Sequence, residues 1–203
     1  MTARGPRGPI LAPPHTPVSG HEPFSGLEAT LLDFWRFAMS DLRTNTVRGY
    51  LAEFLVARAM GALATRVEWD SYDVLSPENI RIEVKAGGYV QAWTQTRPSG
   101  NPSWDIPQTI PFDPETGKYL PEAQRGFQAD VYVFAVHEAR THADYEALNL
   151  AQWTFHVLDR AQIEAMPRGV RNQALATFQR VREAARGVAY EALPAEVRKS
   201  AES

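Results

Sequence analysis

The run "VYVFAV", residues 131–136, constrains the fold more than any other stretch of the chain. Six consecutive apolar residues, rich in valine and aromatics, leave no face for solvent, so a strand here must be covered on both sides. The segment "WTFHVLD" (153–159) sets Trp153, Phe155 and Val157 against Thr154 and His156 and reads as a second strand. His156 is expected on the outer face.

Helical spacing surrounds these strands. In "SGLEATLLDFWRFAMSDL" the positions Leu27, Leu31, Phe34, Trp35 and Ala38 recur at helical intervals, with Ser25 and Glu28 placed as a capping box. The stretch "TNTVRGYLAEFLVARAMG" has Thr44 or Asn45 as cap and Gly61 as stop, and is apolar nearly all round from Tyr50 to Met60. "RNQALATFQRVREAARG" spaces Leu175, Phe178, Val181 and Ala185 helically and ends at Gly187. Between the second and third helices, "ALATRVEW" (62–69), "YDVL" (72–75) and "IRIEVKA" (80–86), the last preceded by the turn "SPEN", read as a meander of two or three antiparallel strands. Residues 94–125, rich in Pro, Gly, Gln and Thr, read as an irregular excursion with one short strand near "QTIPF". The expected architecture is α/β, a mixed central sheet flanked by helices. The expected domains are a proline-rich disordered leader (1–23), one domain (24–190) and a C-terminal tail (191–203).

Composition excludes several classes of chemistry. The chain has no cysteine, so disulfides, thiolate metal sites and cysteine nucleophiles are out, and its five histidines show no HExxH spacing. No apolar run approaches the roughly 20 residues of a membrane span, and the N-terminal "MTARGPRGPILAPPHTP" lacks the continuous apolar region of a secretory signal. A cytoplasmic location is expected. The net charge of -3 argues against a broad basic surface, so any phosphate-binding region must be local.

The chemistry concentrates in "IRIEVKAGGYVQAW" (80–93). Period two turns Ile80, Ile82 and Val84 inward and sends Arg81, Glu83 and Lys85 the other way. Alone, Glu-x-Lys is weak evidence, arising by chance in roughly one chain in three of this composition. Three observations supply context. Asp73 opens the preceding strand and can lie beside Glu83 across a hairpin. Lys85 shares the face of Glu83 and stands out in a chain with three lysines against eighteen arginines. A compact ammonium can orient a water, and if burial lowers its pKa the neutral amine can accept that water's proton. Glu53, finally, is a carboxylate on the most apolar helix, where it needs a partner, a cation or a polar cleft.

Glu53 in "RGYLAEF", Asp73 in "WDSYDV", and Glu83 and Lys85 in "IEVKAGG" together resemble the PD-(D/E)xK nuclease superfamily, with its restriction-endonuclease-like fold. The likeness covers about residues 45–93, with the sheet continuing at 129–158. It implies Mg2+-dependent hydrolysis of phosphodiesters, Mn2+ serving as substitute, in a DNA endonuclease. Asp73, Glu83 and the backbone carbonyl of Val84 would ligate the ion. Lys85 would orient or deprotonate the attacking water, and Glu53 would hold a water of the ion's shell or a second ion. Gln91 resembles the glutamine that many members place shortly after the lysine. No proline directly precedes Asp73, and two glycines stand where a helix often begins. Expected partners are nucleic acid, DNA above all, and a second copy of the chain in a homodimer, with no membrane. The rival reading is an inactive module of the same fold that binds nucleic acid or a protein.

Plainer readings compete residue by residue. Glu83 and Lys85 could be a surface ion pair contributing about 1 kcal/mol or less. Asp70 is expected as a turn residue and Asp130 as a strand-edge cap. His137 and His142 read as parts of an exposed loop. The arginines at 168, 171, 180, 182 and 186 form the solvated side of a helix or a phosphate-contacting stripe.

Overall fold

The both-sides-covered strand is present: Val131–His137 is buried along its whole length. The computed structural model describes residues 16–62, 66 and 70–203. The predicted leader through residue 15, and most of the strand expected at 62–69, lie outside the described residues.

The chain divides into two units, Met1–Ser40 and Asp41–Ser203. In the first, a bridge joins Pro23 to Thr30 and helix α1 spans Leu31–Met39. The helix begins later than its periodicity suggests. Gly26 adopts a left-handed φ of 83°, which breaks the expected first turn. The cap is instead made by Thr30, whose backbone N–H donates to Asp33 Oδ2 at 2.8 Å.

In the second unit, α2 (Asn45–Ala59) is capped by Thr44 and ends before Gly61, which takes a φ of +69°. Strands β1 (Val74–Leu75) and β2 (Arg81–Gly88) follow. The 94–125 excursion is more ordered than its composition implies: it carries β3 (Ser103–Ile106), β4 (Phe112–Asp113) and β5 (Lys118–Tyr119). Next come β6 (Val131–His137), β7 (Trp153–Asp159), α3 (Arg160–Glu164), β8 (Ala174–Thr177), α4 (Phe178–Ala184) and α5 (Leu193–Ala201).

The central sheet runs β1-β2-β6-β7, with β2 and β6 parallel and the outer pairs antiparallel, so it is mixed, as expected. One face carries Ile82, Val84, Val133 and Phe155 and is covered by α2 and α5 through Leu55, Val56, Leu193 and Val197. The other carries Tyr132, Phe134 and Leu158 under Ile106, Ile163, Ala176 and Val181, from β3, α3, β8 and α4. Two corrections follow. The helix expected over 171–187 is a strand and then a shorter helix. Ala174 and Ala176 alternate inward on β8, which pairs with β3, and Thr177 caps α4. The core also extends beyond residue 190, because Leu193 and Val197 of α5 are fully buried in it.

Candidate active site

β1 contributes only two residues, so its backbone pairing with β2 stops at Val74 and Ile82, and beyond it the described partners of that β2 edge are side chains, Asp73 at Val84 and Trp104 at Ala86. Asp73 sits where that pairing ends. Its backbone N–H donates to the Ile82 carbonyl at 3.0 Å, and its Oδ2 accepts the Val84 N–H at 2.7 Å. A side chain thus replaces the missing strand for one rung of the ladder. The N–H and C=O of one residue in an extended strand leave by the same edge. The Val84 carbonyl therefore shares the edge that Asp73 occupies.

Glu83 and Lys85 alternate with the buried Ile82 and Val84, as the period-two reading requires, and pair across the ladder with Tyr132 and Phe134. Lys85 Nζ donates to Glu83 Oε1 at 2.5 Å, both side chains being about three-quarters buried. Burial alone would lower the pKa of Lys85. The opposing charges of Glu83, Asp73 and Glu53 outweigh it and hold the pKa above the ordinary lysine value. In this arrangement Lys85 is a cation and a hydrogen-bond donor.

Glu53 approaches from α2. Its carboxylate accepts from Arg66 Nε at 2.6 Å and is raised in pKa by burial, partly offset by Arg66 and with Glu83 adding to the rise. Arg66 also lies over the Tyr50 ring, 5.1 Å from its centroid. Sequence reasoning missed Arg66; the one available signal was that a buried acid on α2 needs a cation and this arginine follows the helix closely.

The charges do not balance locally. Glu83 has Lys85 and Glu53 has Arg66, but no ion pair reaches Asp73 among the described residues. Burial and the neighbouring Glu83 charge push its pKa up to about 7, against the pull of the Val84 hydrogen bond. Asp73, Glu83 and Asp70 share the wall of a pocket of about 280 Å³, faced by Tyr72, Tyr132 and Gln128. Asp70 makes no hydrogen bond to the other acids, and burial raises its pKa. Among the described residues, no three His, Asp or Glu side chains form a ready-made ligand group.

Gln91 lies elsewhere. Its side-chain amide donates to the Gly88 carbonyl at 3.2 Å, at the end of β2 three residues, or about 10 Å, past Lys85. Asp130 clamps the start of β6, accepting from the Arg81 backbone and guanidinium and from Arg160, and so acts as the expected strand-edge cap. His142 lies in an exposed loop, as expected, but the expectations for His137 and His156 fail. His137 is fully buried in β6 against Tyr145 and Trp153, and His156 is buried beside Phe178. Residue-by-residue alternation could not reveal that β7 is covered on both faces.

Among the described residues no helix is long and apolar enough to cross a membrane. A family model described as Bacteriophage T4 endonuclease IV matches residues 36–169, about two-thirds of the chain, and the match takes in Glu53, Asp73, Glu83, Lys85 and Gln91. No curated protein matches the chain significantly.

Proposed function

The chain belongs to the bacteriophage T4 endonuclease IV family, and from that premise we propose that it is a Mg2+-dependent DNA endonuclease of the PD-(D/E)xK type. The observation that carries this reading is Asp73: a buried carboxylate without a cationic partner among the described residues, beside a second carboxylate, where the β1–β2 pairing ends. A buried charge left in that state is costly unless something positive completes it. The chemistry of the donors fits a hard divalent cation. Mg2+ needs only one or two carboxylates, completing its shell with waters and substrate phosphate oxygens, so the lack of a preformed three-acid cluster does not count against it.

Asp73 and Glu83 would hold the ion, with the Val84 carbonyl on the same edge as a third oxygen donor. When bound, it supplies neutralising charge at the phosphate and makes water more acidic. Lys85, held protonated, donates hydrogen bonds and is suited to fixing the position of the attacking water. Engagement of Glu83 with a cation would weaken its hold on Lys85 and lower the ammonium's pKa toward the range of a proton acceptor. Glu53, already tied to Arg66, shapes the field around Lys85 from the other side of the β2 edge.

The test is incubation of the purified protein with single-stranded and duplex DNA, and with RNA, in Mg2+, Mn2+ or EDTA. The expected result is internal cleavage of DNA with either metal, none in EDTA, and loss of cleavage in Asp73→Asn. Undiminished cleavage in EDTA would refute the metal requirement.

A further inference from the structure

A second pocket, of about 370 Å³, lies at the far end of β2, β6 and β7. It opens on the sheet face that carries Glu83 and Lys85. Alternation continues that face through Gly87 to Tyr89, just past the strand, and the register places Thr154 and His156 of β7 on it too. Lys85 and Tyr89 are four residues apart, about 13 Å of strand, or about four nucleotides of one stacked nucleic-acid chain.

The wall is built from cations on aromatic rings. The Arg140 guanidinium lies 3.3 Å from the Tyr89 ring centroid, and that of Arg182 lies 5.6 Å from the Phe178 centroid. Arg140 has only a 3.8 Å contact with Glu138, and Arg182 has no ion-pair partner among the described residues. His156 lines the same pocket, 3% exposed, with Nδ1 2.9 Å from the Ala185 carbonyl. That carbonyl can only accept, so Nδ1 carries the proton and Nε2 is left as an acceptor without a partner. Burial lowers the His156 pKa and favours this neutral form. The cleft thus offers two guanidiniums suited to an anion, the Glu138 carboxylate beside Arg140 on the same wall, two aromatic rings, and one imidazole acceptor open to an N–H or O–H. A simple anion would leave the acceptor unused, and an apolar ligand would leave the guanidiniums unused.

We propose that this pocket binds a nucleotide unit, with its phosphate between Arg140 and Arg182 and an N–H or O–H of its base or sugar donated to His156 Nε2. The unit is either part of a nucleic-acid chain that also reaches the carboxylates or a free nucleotide.

The experiment measures equilibrium binding to the full chain in EDTA, where no cleavage intervenes. The probes are the four deoxynucleoside 5'-monophosphates and a thymidylate octamer. The proteins are wild type and the Arg140→Ala/Arg182→Ala double variant, whose altered side chains are exposed and whose fold is checked by circular dichroism. Loss of two charge-assisted contacts should weaken binding about tenfold or more. Weakened monophosphate binding identifies a free-nucleotide site; weakening confined to the octamer identifies a unit of a longer chain. Equal affinities in the two proteins, or no binding of either probe to wild type, overturn the proposal. Since the assay needs neither metal nor turnover, its failure is distinct from failure of the cleavage reading.

Discussion

The Val84 N–H donates to Asp73 Oδ2 at 2.7 Å, so the carboxylate that lacks a cationic partner among the described residues is also the group that continues the β2 edge past β1. Asp73 is thereby held in place before any ion arrives. A site preorganised in this way would bind the proposed ion without rearranging the sheet, and an ion that binds only the native state stabilises it. Addition of millimolar Mn2+ or Mg2+ should raise the melting temperature by several degrees. The shift should disappear in Glu83→Gln and in Asp73→Asn, as followed by differential scanning fluorimetry. A shift of wild-type size in both variants would place the metal elsewhere.

The same carboxylate fixes a pH dependence. Its folded-state pKa is raised from 3.8 to about 7. Between those values the native state holds a proton that the unfolded state has lost, so stability falls as pH rises through this window. Buried His137 and His156 have lowered pKa values and act in the opposite sense, since they favour the native state once pH rises above their window. The contribution of Asp73 is therefore isolated by comparison with Asp73→Asn. In metal-free buffer the variant should gain relative to wild type between pH 4 and 7, by up to a few kcal/mol. Urea titrations at pH 4.5, 6 and 7.5 measure it; a constant difference would show that Asp73 ionises normally.

Lys85 is a donor in the structure, and its replacement should separate chemistry from folding. Lys85→Ala removes the group suited to placing the water while leaving Glu83 able to bind an ion. DNA cleavage should fall at least about 100-fold, with the Mn2+-induced melting shift retained. Lys85→Arg should not restore the rate, because a planar guanidinium cannot occupy the place of a compact ammonium. Single-turnover cleavage read beside the melt checks both statements, and wild-type turnover by Lys85→Ala would remove the lysine from the reaction.

How far the sequence discloses this protein depends on the range of the interactions involved. The α2 cap at Thr44, the β1–β2 hairpin and the β6 and β7 strands follow from local pattern, and the structure reproduces them. Glu53, Asp73, Glu83 and Lys85 were singled out because each was an ionisable group on an otherwise apolar element or beside one, and they do act on one another electrostatically. What escaped depended on distant partners. Leu175, Phe178 and Val181 fit a helical period, but the pairing of β8 with β3, some seventy residues earlier, decides for a strand. The Arg66–Glu53 pair, and the second layer that covers His156, are likewise set by tertiary contact rather than by neighbours in the chain.

Gly87 tests how tightly that second layer is pressed onto the sheet. A Cβ built there would lie 2.8 Å from both Pro102 Cβ and Trp104 Cζ2, closer than packed atoms tolerate. Trp104 cannot easily yield, because its Nε1 donates to the Ala86 carbonyl at 2.8 Å and its ring lies 5.0 Å from Phe134, centroid to centroid. Gly87→Ala should therefore destabilise the protein by about 1–3 kcal/mol, as overpacking does. Gly100→Ala, in the 94–125 excursion with open space around it, should change stability by no more than about 0.5 kcal/mol. Chemical denaturation of the two variants beside wild type provides the check. Equal stability of Gly87→Ala and wild type would mean that β3 is free to lift from β2, and that the layer facing Glu83 and Lys85 is a movable cover rather than a fixed wall.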